Sequence, residues 1–128
     1  MDASALIAYL RKEPGGERVA EAMADGLVMS SVNLSEVLSK LAEAGAQPDQ
    51  ALEAMVERGI VGGTVTIDDF TQADALSVAR LRPLTRHVGL SLGDRACFAL
   101  AGRLGLSALT ADRTWIDLDI GVVVEVIR

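Results

Sequence analysis

Ala5, Leu6, Ala8, Tyr9 and Leu10 fall at helical spacing after Asp2-Ala3-Ser4, and Pro14-Gly15-Gly16 breaks the pattern, so a first helix is predicted over about residues 3–12. Val19, Ala20, Met23 and Ala24 give a second amphipathic helix closed by Gly26, after which Leu27-Val28-Met29-Ser30-Ser31 reads as a short buried strand. Asn33 is placed to cap the next helix, with Glu36 at the capping-box position, and the apolar pattern carries that helix to about Ala44 before Gly45. Pro48-Asp49 opens another helix with Leu52, Met55 and Val56 inward, and Gly62-Gly63 releases the chain into a strand, Thr64-Val65-Thr66-Ile67.

Asp68-Asp69-Phe70-Thr71 starts a long helical pattern through Ala73, Leu76, Ala79 and Leu81, which Pro83 is expected to end or kink. Ser91-Leu92-Gly93-Asp94 opens the sixth helix, with Ala96, Cys97, Leu100, Ala101 and Leu104 on one face. Ser107 to Thr110 is a strand candidate, Ala111 to Ile116 a turn with a short helical piece, and Val122 to Ile127 a final strand. Short apolar strands separated by amphipathic helices predict an α/β architecture of three layers, α/β/α, with a central parallel sheet flanked by helices. At 128 residues, the chain is expected to form a single domain over residues 1–128 around one core.

Hydrophobic residues make up 50% of the chain but aromatics only 3%, so that core is expected to be aliphatic. No apolar run approaches the roughly 20 residues of a membrane span, and Met1-Asp2-Ala3 does not begin a signal peptide; a soluble, cytoplasmic protein without membrane contact is expected. Cys97 has no cysteine to pair with and reads as a buried core thiol. A net charge of −6 opposes broad electrostatic binding to nucleic acid, although carboxylates gathered around divalent cations would be neutralised locally. Apart from Lys12 and Lys40 the cations are arginines, suited to forked phosphate contacts and equally to surface salt bridges.

Ligands of open α/β sheets sit beyond the carboxyl ends of the strands. Four acids fall there: Asp2 opening the first helix, Glu36 in the first turn of the third, Asp94 at the start of the sixth, and Asp112 just after Thr110. Gathered carboxylates repel and tend to protonate unless a cation holds them ionised, which points to a hard divalent ion, Mg²⁺ with Mn²⁺ as a substitute. Each acid also has a purely structural reading: Asp2 as a helix cap, Asn33-x-x-Glu36 and Ser91-x-x-Asp94 as capping boxes, Asp112 as an Asx turn. Asp117 and Asp119 are further acids nearby, read mainly as solvated loop residues.

Asp2-Ala3-Ser4-Ala5-Leu6-Ile7-Ala8, Asn33-Leu34-Ser35-Glu36-Val37, Leu92-Gly93-Asp94-Arg95-Ala96 and Leu109-Thr110-Ala111-Asp112-Arg113-Thr114-Trp115 resemble, in order, the acidic motifs of PIN-domain ribonucleases of the VapC toxin type. The resemblance implies a PIN-like fold and a Mg²⁺-dependent endoribonuclease, the toxin of a toxin–antitoxin system, cutting tRNA or rRNA. It implies Asp2 and Asp94 as metal ligands, Glu36 and Asp112 completing the catalytic acidic pocket, and Ser4 and Thr110 as supporting hydroxyls. Arg95 and Arg113, each next to a motif acid, are candidates for holding phosphate. The implied partners are the RNA substrate, a VapB-like antitoxin and a second copy in a homodimer, with the apolar helices of residues 34–60 as a possible contact surface. The family also leads one to expect a hydrophobic strand before Asp2, where only Met1 stands, and a terminal amine is then expected beside the acidic site.

Two other readings compete. A phosphotransferase would also place an Asp after a first strand, but Ser4 occupies the position of its usual second Asp, and neither lysine lies late in the chain. A PIN domain serving as a non-catalytic interaction module would retain the fold without the chemistry. His87 lacks a ligand-spaced partner, Arg80, Arg82 and Arg86 read as a solvated basic face as readily as an RNA contact, and Trp115 is expected to pack under the last turn.

Overall fold

In the computed structural model, which describes residues 1–128, the predicted alternation of helix and strand is present from end to end. Helix α1 (Ala3–Leu10) and α2 (Gly16–Ala24) precede strand β1 (Leu27–Ser30); α3 (Ser31–Glu43) and α4 (Pro48–Glu57) lead to β2 (Val65–Asp68). Then follow α5 (Gln72–Thr85), α6 (Leu92–Leu104), β3 (Ala108–Thr110), a 3₁₀ turn at Arg113–Trp115 and β4 (Val124–Val126). The strands are parallel and the helices flank them, an α/β/α arrangement as expected.

Local details depart from expectation at the ends of α3 and α5. Ser30 caps α3, its Oγ accepting from Val32 N at 3.2 Å. Asn33 therefore lies inside the first turn rather than capping it, and it is fully buried. Thr71 caps α5 through a capping box with Asp74, so the helix starts later than Asp68 suggested. Pro83 lies inside α5, which continues to Thr85 and ends two residues after the proline.

The sheet consists of two parallel pairs. Leu27 to Ser30 run in register with Val65 to Asp68, and Ala108 to Thr110 with Val124 to Val126. Between β1 and β3 lie only Met1 and Asp2: the Met1 ammonium donates to Val28 O at 2.8 Å and Asp2 N to Leu109 O at 3.0 Å. These residues stand where the strand expected before Asp2 would run. Beside them opens a cleft of about 240 Å³ lined by Met1, Leu27, Val28, Leu106 and Leu109 among others.

Leu6, Val19, Met29, Val37 and Val65 are fully buried in the main core, the aliphatic packing foreseen from composition. The two largest buried side chains, Trp115 and Phe98, sit apart from it in a smaller cluster with Leu90 and Cys97, ring centroids 4.4 Å apart. The chain's end returns to this framework at Gly15, whose φ of +92° favours glycine; a Cβ there would also stand 2.7 Å from Ile127 O. Arg103 of α6 braces its neighbours, bonding Asp68 at the end of β2 at 2.6 Å and both carboxylate oxygens of Asp74 on α5 at 2.9 and 3.1 Å. That forked pair holds the Asp74 carboxyl below its ordinary pKa.

Candidate active site at the strand ends

Asp2 is the most enclosed of the four candidate acids, 4% exposed. As N-cap of α1 it accepts from Ala5 N at 2.9 Å, which satisfies a helix-end amide. The same carboxylate also receives the Thr110 hydroxyl at 2.8 Å and stands 2.9 and 2.7 Å from the Ser4 hydroxyl. Ser4 is itself fixed from the far side, because Ala111 N donates to its Oγ at 2.9 Å. The cap reading of Asp2 is thus true but incomplete: a cap needs one acceptor contact, whereas this carboxylate gathers the end of β3 as well. Burial pushes its pKa up; the bonds from Ala5, Ser4 and Thr110 and the nearby terminal ammonium act in the opposite direction. The amine expected near the site is therefore present and electrostatically felt.

Asp112 follows β3 through Thr110, whose Oγ1 accepts from Asp112 N at 3.0 Å while donating to Asp2. Its carboxylate is exposed and accepts from Thr114 N at 2.8 Å, capping the 3₁₀ turn.

Glu36 and Asp94 form the other half, carried on α3 and α6. The capping box expected of Asn33 and Glu36 is not made: Glu36 Oε1 pairs with Lys40 Nζ at 3.2 Å, and Asn33 donates to Gly93 O at 3.0 Å. Glu36 Oε2 lies against Gly93, where a Cβ would come within 2.7 Å of it. Asp94 does make its capping box, Oδ2 accepting from Ser91 N at 2.7 Å and Asp94 N donating to Ser91 Oγ at 3.1 Å. About one turn further along α6 lies Cys97. Its buried thiol is pushed up to about 12 by burial, with the charges of Asp2 and Asp94 both adding to the rise.

As the side chains lie, no three of the Asp, Glu, Cys or His residues stand together at metal-ligand distance. The donor chemistry nonetheless fits a hard divalent ion, being carboxylates and hydroxyls without sulfur or imidazole. Asp94 Oδ1, Asp112 Oδ2 and Glu36 Oε2 carry no hydrogen bond within the chain's own network. The flanking cations are partly committed: Arg95 donates to Ser91 O and Val78 O at 3.3 and 3.0 Å, and Arg113 Nε to Arg128 O at 2.8 Å. Asp117, Asp119, His87, Arg80, Arg82 and Arg86 are exposed and make no ion pair. No helix is long and apolar enough to cross a membrane.

Asn33 and Gly93 are the site residues that local pattern did not expose. Asn33 bonds across 60 residues of sequence, and Gly93 matters through what it omits.

Comparison with known proteins bears on the fold and the family. Among curated proteins no match is found. Among solved structures, a chain of a DNA-bound VapBC from Salmonella typhimurium superposes with a TM-score of 0.72 at 21% identity, covering 99% of this chain and 96% of that one. The family model of the PIN domain matches residues 1–121, and the chain belongs to the PIN domain family.

Proposed function

We propose that this chain is a Mg²⁺-dependent endoribonuclease, the toxin member of a toxin–antitoxin pair, which hydrolyses phosphodiester bonds of cellular RNA such as tRNA or rRNA in the cytoplasm. The observation that carries the reading is the buried Asp2 carboxylate, bonded by Ser4, Ala5 and Thr110 at the carboxyl ends of the strands of a PIN domain. A carboxylate buried only for stability would cost free energy that a neutral cap would not.

Asp2 and Asp94 are assigned as the ligands of the ion, with Mn²⁺ as an alternative metal, and Glu36 and Asp112 as the acids completing the pocket. The bound ion would supply Lewis-acid stabilisation of phosphate charge and a more acidic water. Ser4 and Thr110 hold Asp2 in one orientation, so its remaining lone pairs are directed without rotamer freedom. Lys40 restrains Glu36 through one oxygen and leaves the other toward α6. Asp94 is restrained through Oδ2 alone, which leaves Oδ1 to a ligand. Exposed Asp112 stands at the solvent side, suited to accept a proton from the attacking water.

The fold shared with a VapBC chain supports an antitoxin as partner, and a homodimer is part of the same reading. The helices of residues 34–60 offer little for it: Leu34, Leu38, Leu41 and Leu52 pack on the core, and Val56 is the large apolar side chain left well exposed, at 52%.

A second reading, the non-catalytic interaction module, draws on one observation: every one of the four acids has a local partner, Asp94 and Asp112 by capping, Glu36 by Lys40. Incubating total cellular RNA with the protein in Mg²⁺, in EDTA, and with Asp94→Asn separates them. Discrete fragments lost in EDTA and in the variant support the nuclease; intact RNA in all three lanes leaves the module.

A further inference from the structure

We propose that Asn33 and Gly93 are positioning residues for the acidic site: Asn33 fixes the first turn of α6 to α3, and Gly93 vacates the space in which the Glu36 carboxylate lies. The assignment of catalytic work to that carboxylate rests on the function proposed above; the spatial relationship does not.

Asn33 and Glu36 are one helical turn apart on α3 and so share a face. Asn33, with no exposed surface, donates from Nδ2 to Gly93 O at 3.0 Å, while its Oδ1 is buried without a partner. An orphaned amide oxygen costs stability, and a hydrophobic residue of similar volume would avoid that cost. The asparagine therefore does something a leucine could not: it pins one backbone carbonyl of α6, in the residue adjoining Asp94. Pinning that carbonyl fixes how far apart the two helices hold Glu36 and Asp94.

Gly93 supports the same geometry from the other side. It is the second residue of α6, with no left-handed φ that would require glycine, and glycine is a poor helix former. Alanine would be the better choice for the helix, but its Cβ would stand 2.7 Å from Glu36 Oε2 and 3.5 Å from Asn33 Nδ2. The atom it would strike is the tip of a flexible side chain. Adding the methyl group should thus leave the helix intact and push the carboxylate away.

The test is a set of variants: Gly93→Ala, Glu36→Asp, Glu36→Ala and the doubles Gly93→Ala/Glu36→Asp and Gly93→Ala/Glu36→Ala, with Asn33→Leu alongside. Urea midpoints measured in EDTA read the contact without metal or substrate. The Gly93→Ala midpoint is expected to rise more in the Glu36→Ala background than in wild type, because only the latter has a carboxylate to displace. Equal rises in the two backgrounds overturn the proposal whatever the protein's activity.

Cleavage of cellular RNA in Mg²⁺ reads the consequence. Gly93→Ala is expected to lose up to roughly 100-fold in kcat, as an ångström-scale misplacement can, with KM little changed. The shorter carboxylate of Gly93→Ala/Glu36→Asp is expected to recover more activity than the two single losses combined would leave. Asn33→Leu is expected to lose kcat while keeping its urea midpoint at or above wild type. Unchanged cleavage by Gly93→Ala, in a protein whose wild type cuts, overturns the positioning role. A wild type that cuts no RNA but shows the EDTA coupling overturns the nuclease reading and leaves the spacing of Glu36 by Gly93 established.

Discussion

The Thr110 hydroxyl donates to Asp2 Oδ2 at 2.8 Å, joining the last residue of β3 to the cap of α1 across 108 positions of sequence. Because both groups are buried, the bond sets the orientation of the carboxylate and offsets part of its desolvation. Thr110→Val keeps the shape and removes the donor. It is expected to lower stability by about 1–3 kcal/mol near neutral pH, the usual cost of leaving a buried charged acceptor short of a partner. The loss should shrink in acid, where Asp2 is protonated; urea denaturation at several pH values checks it.

Asp2→Asn keeps a capping side chain and removes the charge. Burial raises the Asp2 pKa in the folded chain above the ordinary 3.8, so the native state holds this proton more tightly than the unfolded state does. That contribution is fully present below the unfolded value and is lost as pH rises through the folded one. The variant lacks the loss: its stability relative to wild type is expected to climb with pH and to exceed wild type at pH 7 in EDTA. RNA cleavage should vanish in the same variant. Thermal melts across pH, with and without Mg²⁺, measure both, since a bound cation should narrow the gap for wild type alone.

For Asp74 the sign is opposite. The Arg103 guanidinium, 2.9 Å away, lowers its folded pKa, so the stability it brings is present above the unfolded value of 3.8 and lost as pH falls through the folded one. Arg103→Met, which also releases Asp68, is expected to lower the urea midpoint at pH 7 and to lose most of that difference below pH 3.8. A pH-independent difference would mean that packing of the arginine stem, rather than its charge, braces α5 and α6.

Three β-branched residues added ahead of Met1 would offer amides and carbonyls to the facing edges of β1 and β3 beside the 240 Å³ cleft. The urea midpoint is expected to rise. The extension also turns the Met1 ammonium into a neutral amide, removing a charge that lowers the Asp2 pKa, so the acid limb of the cleavage profile should move to higher pH. A chain that is no more stable after extension would show that Met1 and Asp2 already satisfy these edges.

What the sequence disclosed followed from how local each cause was. Helices α1, α2 and α6 announce themselves because apolar spacing and the adjoining glycines act within one or two turns. The same holds for the capping box at Asp94, whose partners are three residues apart. Asn33 has the sequence neighbours of a cap, whereas its partner is the distant Gly93 and the cap is Ser30. Arg103 and Asp74, 29 residues apart, gave no local signal at all. Pro83 was expected to end or kink its helix; it stands in the last turn of α5, whose interruption follows within two residues. The family motifs supplied what periodicity could not, namely the proposal that Asp2, Glu36, Asp94 and Asp112 form one site. The Ser91 box and the Ser4 and Thr110 hydroxyls that restrain Asp94 and Asp2 are legible in the sequence, whereas the hold of Lys40 on one oxygen of Glu36 emerges only on folding.

Cys97 gives this protein an observer of its own. The thiol is 2% exposed, lies within reach of the fields of Asp2 and Asp94, and stays protonated up to about 12. A thiol reagent at neutral pH is therefore expected to react only when a local opening exposes the thiol and the thiolate can form. The rate of alkylation clocks the breathing of the acidic pocket in the unmodified chain. An ion or an inhibitory peptide that clamps the pocket would announce itself as silence at a residue it never touches.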